Sequence, residues 1–252
     1  MKTSENSSPV ALQPHTDAGL DVGRIRAITL DLDDTLWPIW PTIKRAENTL
    51  QAWLDHHAPA TAALGRDKDT LRAARNRMVE LRPDLTHDMS ALRRESIRML
   101  LNQAGEDPAL AEPAFEIFFA ERHRVELFDD ALPMLEFLAS RFPVVAISNG
   151  NADVDRVGIG AHFRASLNAH GFGLPKPEIP IFHAAARAAG VAPGQVLHIG
   201  DDAHLDGVGA LNAGMQFAWV NRESHGWTHA PLQPHITVNN LRALCQALDH
   251  TP

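Results

Sequence analysis

The sequence predicts an α/β fold, a parallel sheet core interrupted after its first strand by an inserted helical bundle. Three observations carry that expectation. From about residue 131 onward, short apolar runs alternate with helical patterns, as they do where strands lie side by side under covering helices. Between about residues 41 and 127, four helical patterns follow one another with no strand among them, which reads as a separate bundle. At three distant places, acids or hydroxyls stand immediately after an apolar run, where a parallel sheet gathers ligand-binding groups.

In chain order, residues 1–24 mix Ser, Thr, Asn, Pro and Gly without periodicity and read as a mobile leader. Ile28, Leu30 and Leu32 mark a buried first strand that runs into Asp31, Asp33 and Asp34. Ile43, Ala46, Leu50, Trp53 and Leu54 recur at helical spacing over 41–57. Further helices are expected over 67–82, over 89–104 with Gly105 as its cap, and over 108–127 with Phe115, Phe118 and Phe119 on the apolar side. Core helices are expected over 131–141, 178–189, 205–213 and from Asn240. Strands are expected over 144–147, 163–167, 196–199, 216–220 and 236–238. The expected organisation is therefore a leader (1–24), a core made of 25–37 and 130–252, and a helical cap (38–129).

Composition narrows the function classes. A net charge of −8 argues against a nucleic-acid partner. No apolar run reaches the ~18 residues that suggest a membrane span. The first 21 residues lack the basic-then-apolar layout of a secretory signal. One cysteine, Cys245, suits the cytoplasm. Fourteen histidines are scattered without zinc-site spacing.

Clustered carboxylates at a strand end need a compensating charge, because an unpaired buried carboxylate costs several kcal/mol. Asp31, Asp33 and Asp201 offer hard oxygens of the kind Mg2+ prefers. Ser148 and the amides after it can hold phosphate oxygens, and Lys176 can neutralise a transferring phosphoryl group. A carboxylate can attack phosphorus, and a second acid two residues on can protonate the leaving alkoxide and then deprotonate water. Asp34 reads as a turn residue and Asp88 as an N-cap. Arg93 and Arg94 read as a solvated helix face, and His198 as a hydrogen-bonded core histidine. Trp37 and Trp40 suit either a flat ring or the cap hinge; His87 is a candidate substrate contact.

The stretches DLDDTLW, SNGN, KPEIPIF and HIGDDAHLD resemble the four ordered motifs of the haloacid dehalogenase (HAD) superfamily. The resemblance implies a Rossmann-like core with a helical cap over the active site, and a phosphatase working through an aspartyl-phosphate. It implies Asp31 as nucleophile, Asp33 as general acid/base, Ser148 as phosphate binder and Lys176 as charge stabiliser. Asn149, Gly150, Trp37 and His87 become substrate-binding candidates. Magnesium would be held by Asp31, Asp201 and the backbone carbonyl of Asp33. Asp206 is expected to orient the lysine, with Asp202 contributing through water.

Residues 83–88, 145–152 and 198–202 are also similar to bacterial flavin mononucleotide phosphatases, which act too on the ribitylaminouracil phosphate of riboflavin synthesis. The expected partner is thus a small phosphate ester, and the expected assembly a monomer or homodimer. A broad sugar or nucleotide phosphatase, a phosphomutase and a phosphate-binding or receiver-like module are the competing readings. A dehalogenase would not need an acid at position 33.

Overall fold

The computed structural model describes residues 19–249. Most of the expected leader therefore lies outside the described residues. Its end, from Gly19, meets the core: the Asp21 amide donates to Gln216 Oε1 at 2.7 Å, Gln216 Nε2 donates back to Asp21 O at 2.9 Å, and Leu20 and Val22 pack on the sheet.

Six strands form one parallel sheet: β1 (Ala27–Leu30), β2 (Val144–Ser148), β3 (Ala165–Asn168), β4 (Val196–Gly200), β5 (Gln216–Val220) and β6 (Ile236–Val238), in the spatial order β3-β2-β1-β4-β5-β6. β1, β2, β4 and β5 are buried throughout, which is why they read as continuous apolar runs instead of alternating ones. β1 lies between β2 and β4. The chain runs outward from it in both directions, and the crevice at such a switch point is where ligands bind.

The segment inserted after β1 forms a helical bundle, made among the described residues of α1 (Ile39–His57), α2 (Pro59–Gly65), α3 (Lys68–Leu81), α4 (Met89–Ala104) and α5 (Ala111–Arg122). α1, α2, α4 and α5 share a core of their own, centred on Ala46, Leu50, Leu54, Leu101, Phe115 and Phe118. The Ala-rich α2, opened by Pro59 at its first turn, was not expected; its apolar face is too short to show a period. Gly105 ends α4 in the left-handed conformation, as expected. α5 stops at Arg122 and not at Leu127, because Val125, Leu127 and Phe128 leave the bundle and pack on the sheet.

The remaining helices are α6 (Ala131–Ala139), α7 (Val154–Val157), α8 (Ala169–Phe172), α9 (Ile179–Ala189), α10 (Gly209–Asn212) and α11 (Leu241–Asp249). α6 and α11 bury Leu135, Leu138, Leu241 and Leu244 on one sheet face, while α9 and α10 bury Phe182, Ala186 and Ala210 on the other. The helix expected over 205–213 is instead a π-helical turn, Ala203–Val208, followed by α10. Among the described residues, no helix is long and apolar enough to cross a membrane.

Candidate active site

β1, β2 and β4 end side by side, and their C-terminal residues converge. Asp31 continues β1, its amide donating to Ile199 O at 2.9 Å. After it the chain turns tightly: Leu36 N–H reaches Leu32 O, and Asp34 N–H reaches Trp37 O. Asp34 holds that turn with φ +59, a conformation Asp tolerates, and its Oδ1 accepts the Ile39 amide at the start of α1. The turn role expected for Asp34 is what the structure has.

Asp31 is 6% exposed. The Lys176 ammonium contacts its Oδ1, and Thr35 Oγ1 lies 3.2 Å from its Oδ2 and 2.9 Å from Asp201 Oδ1. Lys176 is equally buried and also meets Asp206 Oδ1 at 2.6 Å. Asp206 stands in the π-helical turn, close against β4; a Cβ on Gly200 would lie 2.3 Å from the Asp206 carboxyl carbon, so only glycine fits there. His198 Nε2 is 3.0 Å from the same Asp206 Oδ1, and its Nδ1 is 2.9 Å from Thr29 Oγ1. It is a hydrogen-bonded core histidine, as expected.

These contacts set the electrostatics. Burial opposes the charge on Lys176, but Asp206 and Asp31 outweigh it, so its pKa is raised and the ammonium stays protonated. Burial also works against the Asp206 carboxylate, yet Lys176 and His198 hold its pKa at about 2. Asp31 is pushed well up, by burial first and then by Asp206 and Asp201, against the pull of Lys176. Burial, with Asp206 beside it, lifts Asp201 to about 7. One lysine thus faces three carboxylates, Asp31, Asp201 and Asp206, whose oxygens lie within 4.8 Å of one another. An excess of negative charge on hard oxygens in a buried pocket fits a divalent cation.

Ser148 ends β2 at 2% exposure, its Oγ accepting the Gly150 amide at 2.9 Å. Asn149, a substrate-binding candidate, spends its side chain on the lysine loop. Its Oδ1 accepts the Lys176 amide at 2.7 Å and its Nδ2 donates to Lys176 O at 2.9 Å, so it clasps the loop that delivers the lysine. Asp33 turns its carboxylate toward Trp37 Nε1 (2.8 Å) and Arg122 NH2 (2.7 Å).

Trp37 was expected to offer its ring to substrate. It is fully buried in the sheet core, so the hinge-anchor alternative is the one the structure supports. Trp40, by contrast, is 74% exposed and borders a cavity of about 220 Å³ with Asp33, Ile43, Arg93 and Arg122. His87 and Gly150 line a neighbouring cleft of about 480 Å³ between bundle and sheet.

Asp202 accepts the His204 and Leu205 amides as an N-cap, which engages the side chain expected to act through water. Asp88 caps α4 through the Ala91 amide, as expected. Arg93 and Arg94 do not simply solvate a helix: they lie over Phe118 and Phe115, at 3.8 and 4.3 Å from the ring centroids. Arg122 was not singled out at all. A basic residue at a helix end carries no sign that it will reach a carboxylate 89 positions earlier.

Comparison with known proteins agrees with this geometry. A family model described as haloacid dehalogenase-like hydrolase matches residues 25–214. The chain is 33% identical to the 5-amino-6-(5-phospho-D-ribitylamino)uracil phosphatase YigB of Escherichia coli strain K12, over 88% of this chain and 96% of that one. It is 34% identical to a phosphoserine phosphatase of Thermus thermophilus, over 52% of this chain and 55% of that one. A crystal structure of a 2-haloacid dehalogenase from Pseudomonas syringae pv. Tomato DC3000 superimposes with a TM-score of 0.83 at 37% identity, covering 89% of this chain and 98% of that one. The family match spans β1, the helical bundle and every side chain of the acid–lysine cluster, and the chain belongs to the haloacid dehalogenase-like hydrolases.

Proposed function

We propose that this hydrolase is a cytoplasmic, Mg2+-dependent phosphomonoesterase working through an aspartyl-phosphate. Its proposed substrate is a ring-bearing polyol phosphate such as flavin mononucleotide or the ribitylaminouracil phosphate named for the Escherichia coli relative. The observation that carries the reading is a pair of carboxylates two residues apart in different settings. Asp31 is buried against Lys176, while Asp33 is held by Trp37 and Arg122. Two acids in contrasting environments are what a nucleophile and a proton shuttle require.

In this reading Asp31 attacks phosphorus and the bond to the leaving oxygen breaks. Asp33 gives that oxygen a proton, then takes one from the water that hydrolyses the acyl phosphate. Lys176 and the Ser148 hydroxyl face the phosphoryl oxygens. Asp31, Asp201 and the Asp33 carbonyl would hold Mg2+, which lowers the repulsion between two anions.

The likeness to a haloacid dehalogenase favours a second reading, attack on carbon with release of halide. That reaction forms no alkoxide and gives Asp33 no task. The test is a panel of flavin mononucleotide, ribitylaminouracil phosphate, hexose phosphates, uridine monophosphate and 2-chloropropionate, with and without Mg2+. Expected is Mg2+-dependent phosphate release with the highest kcat/KM on the first two. Halide release without phosphate release would overturn the reading, and flavin mononucleotide at the bottom of the esters would remove the substrate assignment.

A further inference from the structure

The chain crosses between sheet and bundle twice, and both crossings place a donor on the same carboxylate. Trp37, just ahead of α1, gives its indole N–H to Asp33 Oδ1 at 2.8 Å. Arg122, the last residue of α5, sets one nitrogen, NH2, 2.7 Å from Oδ1 and 2.7 Å from Oδ2. Both side chains are buried, at 0% and 2% exposure. The other terminal nitrogen of Arg122, NH1, is buried with no hydrogen-bond partner. Burying a guanidinium in that state is unfavourable, so its place is not explained by a complete structural network around it. Next to it, His123 pins the end of α5: its Nε2 accepts the Asp153 amide at 3.0 Å, and its Nδ1 lies 2.7 Å from Phe119 O.

The two Asp33 oxygens are not equivalent. Oδ1 carries two donors and Oδ2 one. A Cβ added at Gly150 would lie 2.5 Å from Oδ2 and 3.2 Å from Ser148 Oγ, so Oδ2 lies against the Gly150 backbone on the Ser148 side, and Asp33 and Gly150 together line the cavity of about 220 Å³. Resting on the phosphatase reading above, we propose that Arg122 is a positioning residue for proton transfer. With Trp37 it locks the Asp33 rotamer so that Oδ2 is the oxygen presented to the leaving group. Oδ2 delivers its proton as the P–O bond breaks and the bond's electron pair passes to the leaving oxygen. Because Arg122 ends α5, the seating of the bundle on the sheet sets the aim of the acid.

The test compares esters that differ in how much they need that proton. Flavin mononucleotide releases an alkoxide, whereas p-nitrophenyl phosphate releases a phenolate that leaves unaided. In the full-length chain with Mg2+, Arg122→Met is expected to lower kcat/KM on flavin mononucleotide about 100-fold and on p-nitrophenyl phosphate less than about fivefold, the range in which general acid catalysis is felt. Arg122→Lys is expected to restore most of the alkyl-ester rate, since one nitrogen makes the contact. Trp37→Phe, which keeps an aromatic ring there and removes the donor, is expected to show the same selectivity in weaker form, and it serves as the readout if Arg122→Met does not fold. Equal losses on both esters, or none, would overturn the inference. A wild-type chain that releases phosphate from neither ester would instead remove the phosphatase reading, and this inference with it.

Discussion

Lys176 Nζ and Asp206 Oδ1 meet at 2.6 Å in a place that solvent scarcely reaches, beneath the acid that the site is built around. The lysine arrives on the loop clasped by Asn149 and the acid on the π-helical turn after β4, so two separate chain segments close the floor of the pocket. A buried pair of this kind contributes little net stability compared with a well-packed apolar pair, but losing one partner strands the other charge.

Asp206→Ala takes from Lys176 one of its two carboxylate contacts, leaving it Asp31, and removes the partner of His198 Nε2. The expected outcome is a loss of about 3 kcal/mol or more in urea unfolding at pH 7, together with a fall in kcat. An unchanged unfolding midpoint would show that the pair is not needed to hold this floor.

Asp31→Asn should separate catalysis from stability. Burial already disfavours the charged form of Asp31, so neutralising it lowers the folding free energy or leaves it unchanged. Turnover is expected to fall by more than about 10⁴-fold while the urea midpoint stays level or rises. Retained activity would refute the nucleophile assignment.

Trp40 stands exposed at the mouth of the cavity shared with Asp33 and Arg93. Trp40→Ala should shift stability by no more than about 0.5 kcal/mol, as surface substitutions usually do. An aromatic contact of about 1 kcal/mol corresponds to a KM for flavin mononucleotide raised about fivefold, with hexose phosphates unaffected. Equal changes for both substrates would mean that the indole does not face the ring.

Asp130 offers a pH test away from the acid cluster. Its carboxylate accepts from Arg222 at 2.8 and 3.0 Å and from the Leu241 amide at 2.8 Å, while Arg222 NH2 also reaches Thr35 O. Burial raises its pKa, but the Arg222 and Leu241 bonds outweigh that and hold the carboxyl below the usual range. A folded-state pKa below the unfolded one contributes stability above the unfolded value and loses it as pH falls through the folded one. Asp130→Asn is expected to cost about 2 kcal/mol at pH 7. The gap to wild type should close below about pH 4, where the unfolded carboxyl takes up its proton. Urea unfolding at pH 7 and pH 3 measures both ends.

Much of this was legible along the chain. Continuous apolar runs ending in acids or hydroxyls announced β1, β2 and β4 as buried parallel strands with a site at their ends. Helical spacing announced α1, α4 and α9 close to their true limits. These features depend on backbone periodicity and on the cost of burying charge, both of which act locally and show in sequence. What only the tertiary structure decided is which side chain each polar group meets. Trp37 went into the core and Trp40 stayed out, Asn149 turned to the lysine loop, Asp202 capped a helix while Asp206 went under Lys176, and Arg122 closed on Asp33 from the far end of the bundle. Those outcomes follow from rotamers and from the packing of segments distant in sequence, and no local pattern encodes them.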